Sequence, residues 1–179
     1  MARRRPRAWV YWVTVPGIVA SSVAPAWATV YLTMEQAQQA IFPDGRMTAM
    51  PLTLTDAQCR AIKHATGVSV RVKTPRVWRV EGGGYFIVDE VVGKHEFITY
   101  AVGLEADGAV RQIEIMDYRE SYGGEIREAD WRRQFVGTTS RSTLKLDADI
   151  KNISGATLSC RHITDGVKRV LAMYDVALR

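Results

Sequence analysis

The distribution of apolar and polar positions divides the chain into helical and extended segments. Thr33-Met34-Glu35-Gln36 forms a capping box, in which the threonine and glutamine side chains each accept a backbone N–H, and it predicts a short helix ending near Pro43. Thr55-Asp56-Ala57-Gln58 repeats this signal before a second helix, which Gly67 ends as a C-terminal cap. We expect the segment between the two helices, residues 43–51, to be a loop.

Alternation with a period of two predicts a run of β-strands in the middle of the chain. The predicted strands are residues 68–72, 77–81, 85–92, 95–104 and 109–118. Gly82-Gly83-Gly84 and Asp107-Gly108 are turn signals between successive strands. In the last strand the apolar positions change phase near Gln112, which predicts a β-bulge.

The pattern changes again after the strands. Residues 128–135 are predicted to form a short helix, and residues 144–153 are predicted to be extended. From residue 158 to 178 the apolar positions recur every three or four residues, which predicts a long amphipathic helix. The order of helices, antiparallel strands and helices predicts an α+β fold, an antiparallel sheet with flanking helices.

The N-terminal segment has the features of an export signal. Four arginines within the first seven residues precede an uncharged stretch, residues 8–32, which contains the cleavage pattern Ala26-Trp27-Ala28. We expect residues 1–28 to be a signal peptide and the mature chain to begin at Thr29. The alternative is an uncleaved anchor, because the uncharged stretch is long enough to span a bilayer. Either outcome predicts a periplasmic or otherwise extracytoplasmic domain, with an N-terminal part at residues 29–83 and a core at residues 84–179.

Charge and cysteine content argue against several classes of function. The net charge is +5, but removing residues 1–28 removes four arginines and no acidic residue, which leaves +1. This balance argues against a nucleic-acid-binding protein, which should carry a basic patch or stripe. No spacing around Cys59 and Cys160 indicates attached haem, zinc or an iron–sulfur cluster. The sequence leaves open whether these two cysteines form a disulfide.

The stretch Ser154-Gly155-Ala156-Thr157-Leu158-Ser159 places three hydroxyl residues and a glycine at the start of the final predicted helix. A helix start presents unpaired backbone N–H groups and the positive end of the helix dipole, so it favours phosphate. The two small residues of the stretch let a phosphate approach the backbone, and the two serines can donate hydrogen bonds to it. The oxygen of Thr157 can form a covalent bond to phosphorus.

This stretch closely resembles the flavinylation motif of FMN-binding domains. Such domains occur in the flavoprotein subunits of sodium-pumping NADH:quinone reductase and related electron-transport complexes, and in small exported proteins. Residues 118–125, YRESYGGE, resemble a second loop of this family, and residues 131–137 resemble the aromatic-rich segment that follows it. The resemblance covers roughly residues 84–175.

In this family the motif threonine carries FMN through a phosphoester bond, which a separate flavin transferase makes from FAD. The resemblance therefore implies an exported electron carrier, rather than a stand-alone enzyme, with FMN bound covalently to one threonine. It implies a flavin transferase and membrane or periplasmic redox proteins as partners. The cofactor-binding residues that it implies are Thr157, Ser154, Gly155, Ala156, Leu158, Ser159, Glu120 and Ser121.

Two positions depart from the family pattern. Lys151 stands three residues before the motif serine, where the family commonly has an acidic residue, and Tyr122 stands where a proline is common. The first departure concerns recognition by the transferase, and the second concerns the surroundings of the flavin.

Other interpretations of the same residues remain open. The main alternative is an exported binding or sensory module of the same fold without covalent flavin. A hydrolase that uses Ser159 or Cys160 is a further alternative, although neither lies in a nucleophile elbow. A cysteine in a first helical turn can have a lowered pKa, but His162 lies two positions further on and points in another direction. Five aromatic residues are candidates for stacking on a flavin, although core packing is the commoner role: Trp78, Tyr85, Phe86, Trp131 and Tyr122. We predict no metal site and no catalytic residue.

Overall fold

The computed structural model describes residues 31–179, so the predicted signal peptide and the start at Thr29 lie outside the described residues. Two helices come first, α1 (Met34–Ile41) and α2 (Asp56–Thr66). Both predicted capping boxes are present, and Gly67 ends α2 in a left-handed conformation. Local sequence signals therefore suffice to place these two helices.

The centre of the fold is a five-stranded antiparallel sheet in which every strand pairs with its neighbours in the sequence. Its strands are β1 (Met47–Ala49), β2 (Arg76–Val80), β3 (Tyr85–Val92), β4 (Phe97–Leu104) and β5 (Val110–Tyr118). The last four were predicted, whereas β1 lies inside the predicted loop of residues 43–51. Together with helices that flank the sheet, this architecture confirms the α+β class.

Two predicted extended segments are wrong. Residues 68–72 form no strand and pair with no strand of the sheet, but connect α2 to β2. Residues 144–153 are instead irregular around a turn at residues 147–149, in which the Lys145 carbonyl accepts the N–H groups of Ala148, Asp149 and Ile150. Leu144 and Asp147 have left-handed backbones, with φ of 45° and 65°, which break an extended chain.

The predicted bulge in β5 is present. Gly103 pairs with Gln112 and Leu104 pairs with Val110, so β5 contains one more residue than β4 at this point. A second shift was not predicted: Thr99 pairs with Asp117, but Tyr100 pairs with Ile115.

Both faces of the sheet are covered. Alternate residues of β3, β4 and β5 pack against α2 and the last helix, α4 (Thr157–Met173), in the larger core. The opposite face packs against α1 in a smaller core that includes Ala37, Ile41, Phe86 and Ala101. Because side chains alternate along a strand, the same strands supply both cores.

The C-terminal part of the chain is mainly helical. A short helix, α3 (Ala129–Arg132), and the helical turn after it cover residues 128–135 as predicted. The final helix starts one residue earlier than predicted, at Thr157, and changes to a π-helical turn at Tyr174–Leu178. Among the described residues, no helix combines the length and the apolar character needed to cross a membrane.

Candidate functional site

Three segments that connect strands and helices meet at one end of the sheet, where β3 and β5 terminate and β4 begins. They are the hairpin between β3 and β4, the loop that follows β5, and the start of α4, and together they form an open cleft of about 340 Å³. The cleft is lined by Lys94, His95, Glu120, Ser121, Tyr122, Gly155, Ala156, Thr157, Leu158 and Ser159. Seven of the eight predicted cofactor-binding residues thus line a single cleft. The eighth, Ser154, is exposed and does not line it.

The start of α4 presents backbone N–H groups to this cleft. Ala156 precedes the helix and no side chain caps it, while the Cys160 N–H makes an intrahelical bond of 2.9 Å to the Ala156 carbonyl. The N–H groups of Thr157, Leu158 and Ser159 precede this first intrahelical hydrogen bond, so they have no acceptor within the helix. Gly155 has φ of 81°, and a Cβ atom there would meet nothing within 4 Å. The arrangement offers an anion both the helix dipole and room beside the backbone.

Thr157 is half-buried, and among residues 31–179 its hydroxyl makes one hydrogen bond. The Asn152 side chain donates a hydrogen bond from Nδ2 to Thr157 Oγ1 at 3.0 Å. Sequence reasoning did not select Asn152, because no motif signal connects a residue in a loop to a hydroxyl five positions further on.

The loop after β5 is anchored on the motif by Tyr118. Its phenol donates to the Tyr122 carbonyl and lies 3.4 Å from Ser159 Oγ, within hydrogen-bonding distance. Burial is the largest influence on the Tyr118 phenol and raises its pKa, so it remains protonated and able to donate. Gly123 follows in a left-handed conformation, and a Cβ atom there would overlap with the Ala156 side chain. Tyr122 is therefore held directly beside the motif.

Glu120 connects this loop to the β3–β4 hairpin. Its Oε1 accepts the backbone N–H groups of His95 at 2.6 Å and Glu96 at 3.1 Å. Partial burial acts to raise the pKa of Glu120, but these backbone donors outweigh it, and the pKa lies below its usual value. The carboxylate is thus ionised at neutral pH and holds the hairpin that carries Lys94 and His95.

Lys94 and His95 are cleft residues that the sequence analysis missed. The predicted strand order contained the necessary signal. In a sheet of successive antiparallel strands, the turn between the third and fourth strands lies at the same end of the sheet as the C-terminal end of the fifth. The predicted strand of residues 95–104 begins at Phe97, which leaves both basic residues in the turn.

Of the five aromatic residues considered for stacking, Tyr122 lines the cleft. Its side chain is 79% exposed. Tyr85, Phe86 and Trp131 are buried in the protein core, and Trp78 packs against the smaller core on the opposite face of the sheet. Tyr122 is consequently the aromatic side chain of this set that a ligand in the cleft can contact.

The environment of Cys160 argues against a thiol nucleophile. Cys160 is fully buried, and burial raises its pKa, which is the opposite of the lowered value that a first-turn position allows. His162 makes its hydrogen bond through Nδ1 to the Val92 carbonyl. Cys59 and Cys160 are both free thiols in the structure. Among residues 31–179, no group of three or more histidine, cysteine, aspartate or glutamate side chains is placed to hold a metal ion.

The comparisons with known proteins give one family. None of the curated proteins compared with the chain matches it. Residues 93–172, which contain all ten residues that line the cleft and all of α4 except its last residue, match the family model of the FMN-binding domain. The comparison therefore shows an FMN-binding domain at residues 93–172 of this protein.

Proposed function

We propose that this protein is an exported electron-transfer flavoprotein that carries FMN as a phosphoester on Thr157. The observation that carries the proposal is the position of this hydroxyl, which is on the first residue of α4, beside uncapped backbone N–H groups and in the wall of the cleft. A phosphate bonded to it lies where the helix start stabilises negative charge.

The cleft fits the chemical groups of FMN. Its volume of about 340 Å³ lies within the usual range for small-molecule sites. Lys94 provides a cation for the phosphate, and Tyr122 and Leu158, 79% and 40% exposed, provide apolar surface for the ring system. Because the cleft is open, a bound flavin keeps an exposed side, as electron exchange between proteins requires.

Attachment requires a flavin transferase and FAD as the co-reactant. A bond forms between Thr157 Oγ1 and the phosphorus on the riboflavin side, the pyrophosphate bond breaks, and AMP leaves. The hydroxyl proton passes to the transferase, since a free threonine hydroxyl is a weak nucleophile. This chain contributes the backbone N–H groups of the first α4 turn, which compensate the charge on the phosphate oxygens.

The attached flavin supplies one- and two-electron chemistry, and this chain holds and orients it. In this proposal, the protein acts as a carrier between membrane or periplasmic redox partners rather than as an enzyme with its own substrate. The export-like features of residues 1–28 support a location outside the cytoplasm, where a covalent bond prevents loss of the cofactor.

Co-expression with a flavin transferase tests the proposal. On a denaturing gel, the unaltered protein and Ser140→Ala, a change at an exposed hydroxyl remote from the cleft, are expected to fluoresce, whereas Thr157→Ala is expected to be dark. The intact mass should increase by one FMN less one water. Fluorescence retained by Thr157→Ala refutes the assigned attachment. An unmodified mass in a host with active transferase favours the alternative, an exported binding or sensory module without covalent flavin.

A further inference from the structure

Asn152 is half-buried and satisfies only part of its hydrogen-bonding capacity. Nδ2 donates to Thr157 Oγ1 at 3.0 Å, while Oδ1 is buried and has no hydrogen-bond partner among residues 31–179. Burying a polar atom without a partner is unfavourable, and such atoms in folded proteins call for an explanation. A contribution to folding stability therefore does not account for the burial of this oxygen.

The backbone before Asn152 is held on two sides. Lys151 donates its N–H to Gln134 Oε1 at 2.7 Å, and its carbonyl accepts the indole N–H of Trp131 at 2.8 Å. Trp131 packs in turn on Phe135, with ring centroids 5.2 Å apart. These two hydrogen bonds fix the backbone immediately before Asn152. They therefore hold the Asn152 side-chain amide against Thr157, as precise positioning of a reacting group requires.

We propose that Asn152 is the positioning residue for attachment of a phosphate ester to Thr157, an inference that rests on the proposed function. The N–H of the amide occupies one lone pair of Oγ1 and fixes the orientation of the hydroxyl. A donor also stabilises negative charge on the oxygen as the proton leaves, since hydrogen bonds to a charged form favour that form. The amide continues to donate to the same oxygen once it is part of the ester.

This role is distinct from that of the neighbouring residue. Lys151 stands where the resembled family commonly has an acidic side chain, but here its side chain is exposed and its backbone makes the contacts described above. The residue that reaches the reacting hydroxyl in this protein is the next one along the chain. A neutral donor beside the hydroxyl also avoids repulsion of the incoming phosphate.

The test measures the rate of flavin attachment to purified, unmodified full-length chain with transferase and FAD. We expect Asn152→Ala to lower the maximal rate by roughly 10- to 100-fold with little change in the KM for FAD, because the lost hydrogen bond forms with a developing charge. Asn152→Asp keeps the shape but cannot donate when ionised, so we expect a loss at least as large. Ser140→Ala, the change at the exposed hydroxyl remote from the cleft, is the control and should react like the unaltered chain. Thermal unfolding of each variant checks that it is folded.

Several results overturn the inference. Asn152→Ala reacting as fast as Ser140→Ala removes the positioning role, and Asn152→Asp reacting as fast as the unaltered chain removes the role of the donor. A loss confined to the KM for FAD indicates altered recognition instead. If the unaltered chain takes up no flavin, the proposed function itself fails, which is a different result from a selective effect at Asn152.

Discussion

Gly123 and Gly137 both have left-handed backbones, with φ of 86° and 77°, but their surroundings differ. A Cβ atom on Gly123 would overlap with the Ala156 side chain and lie 2.8 Å from Tyr118 Oη, whereas one on Gly137 would meet nothing within 4 Å. Gly123 thus lets the loop after β5 lie directly against the motif. Because Gly123 has no side chain, the loop after β5 and the start of α4 can lie in direct contact.

This difference gives a prediction at one residue. Gly123→Ala and Gly137→Ala both incur backbone strain of about 1 kcal/mol, and Gly123→Ala adds overpacking of about 2 kcal/mol. We expect Gly123→Ala to lower the free energy of unfolding by that additional amount, measured by urea denaturation. Equal losses in the two variants would show that the loop does not pack on the motif as described.

Helix α4 is fixed to the sheet by a polar contact as well as by apolar packing. Arg169 donates to Asp89 at 2.6 Å and to the Glu90 carbonyl at 3.2 Å, and the buried Tyr100 phenol donates to the same Asp89 oxygen at 2.7 Å. Burial, followed by the charge of Asp89, raises the pKa of Tyr100 well above its usual value, so this phenol stays protonated. The contact joins α4 to β3 and β4, and thereby sets where the motif helix lies along the sheet.

Breaking this contact should destabilise the protein. We expect Arg169→Met to lower the free energy of unfolding by about 3 kcal/mol, because it leaves the mostly buried Asp89 carboxylate without its cationic partner, although the Tyr100 phenol still donates to it. The matched control is Lys168→Met, whose 3.7 Å pair with Asp165 lies along one helix and is worth about 0.5 kcal/mol or less. Chemical denaturation measures both losses. Similar losses would mean that the Arg169 contact contributes no more than a surface pair.

The unit that folds extends beyond the segment that matches the family model. That segment, residues 93–172, contains β4, β5 and α4, but it omits β3, to which β4 pairs along its whole length. It also omits α1 and α2, which cover the two faces of the sheet together with α4. An isolated segment would therefore expose a strand edge, the apolar face that α1 covers, and the part of the other face that α2 covers.

We accordingly expect a fragment of residues 93–172 to lack a cooperative thermal transition. A chain of residues 31–179 should show one, because it contains every element of the two cores. Circular dichroism during heating, with both fragments at the same concentration, provides the measurement. A sharp transition in the shorter fragment would show that the first three strands are dispensable for folding.

Local sequence signals were enough to predict the helices and the strands that form hairpins. The capping boxes at Thr33 and Thr55, the cap at Gly67 and the turn at Asp107-Gly108 were predicted correctly because each depends on residues close together in the sequence. Prediction failed for residues 68–72 and 144–153 because a strand requires a partner, and pairing depends on the remainder of the sheet.

The sequence alone determined the α+β class and, through its resemblance to FMN-binding domains, selected the motif around Thr157. Only the tertiary structure decided which other side chains share the cleft. Lys94 and His95 are brought there because antiparallel strands end together at one end of the sheet, and Asn152, which does not line the cleft, reaches Thr157 because the turn before α4 folds back on it. These contacts join residues separated in the chain, and the free energy that selects them comes from burial of both faces of the sheet.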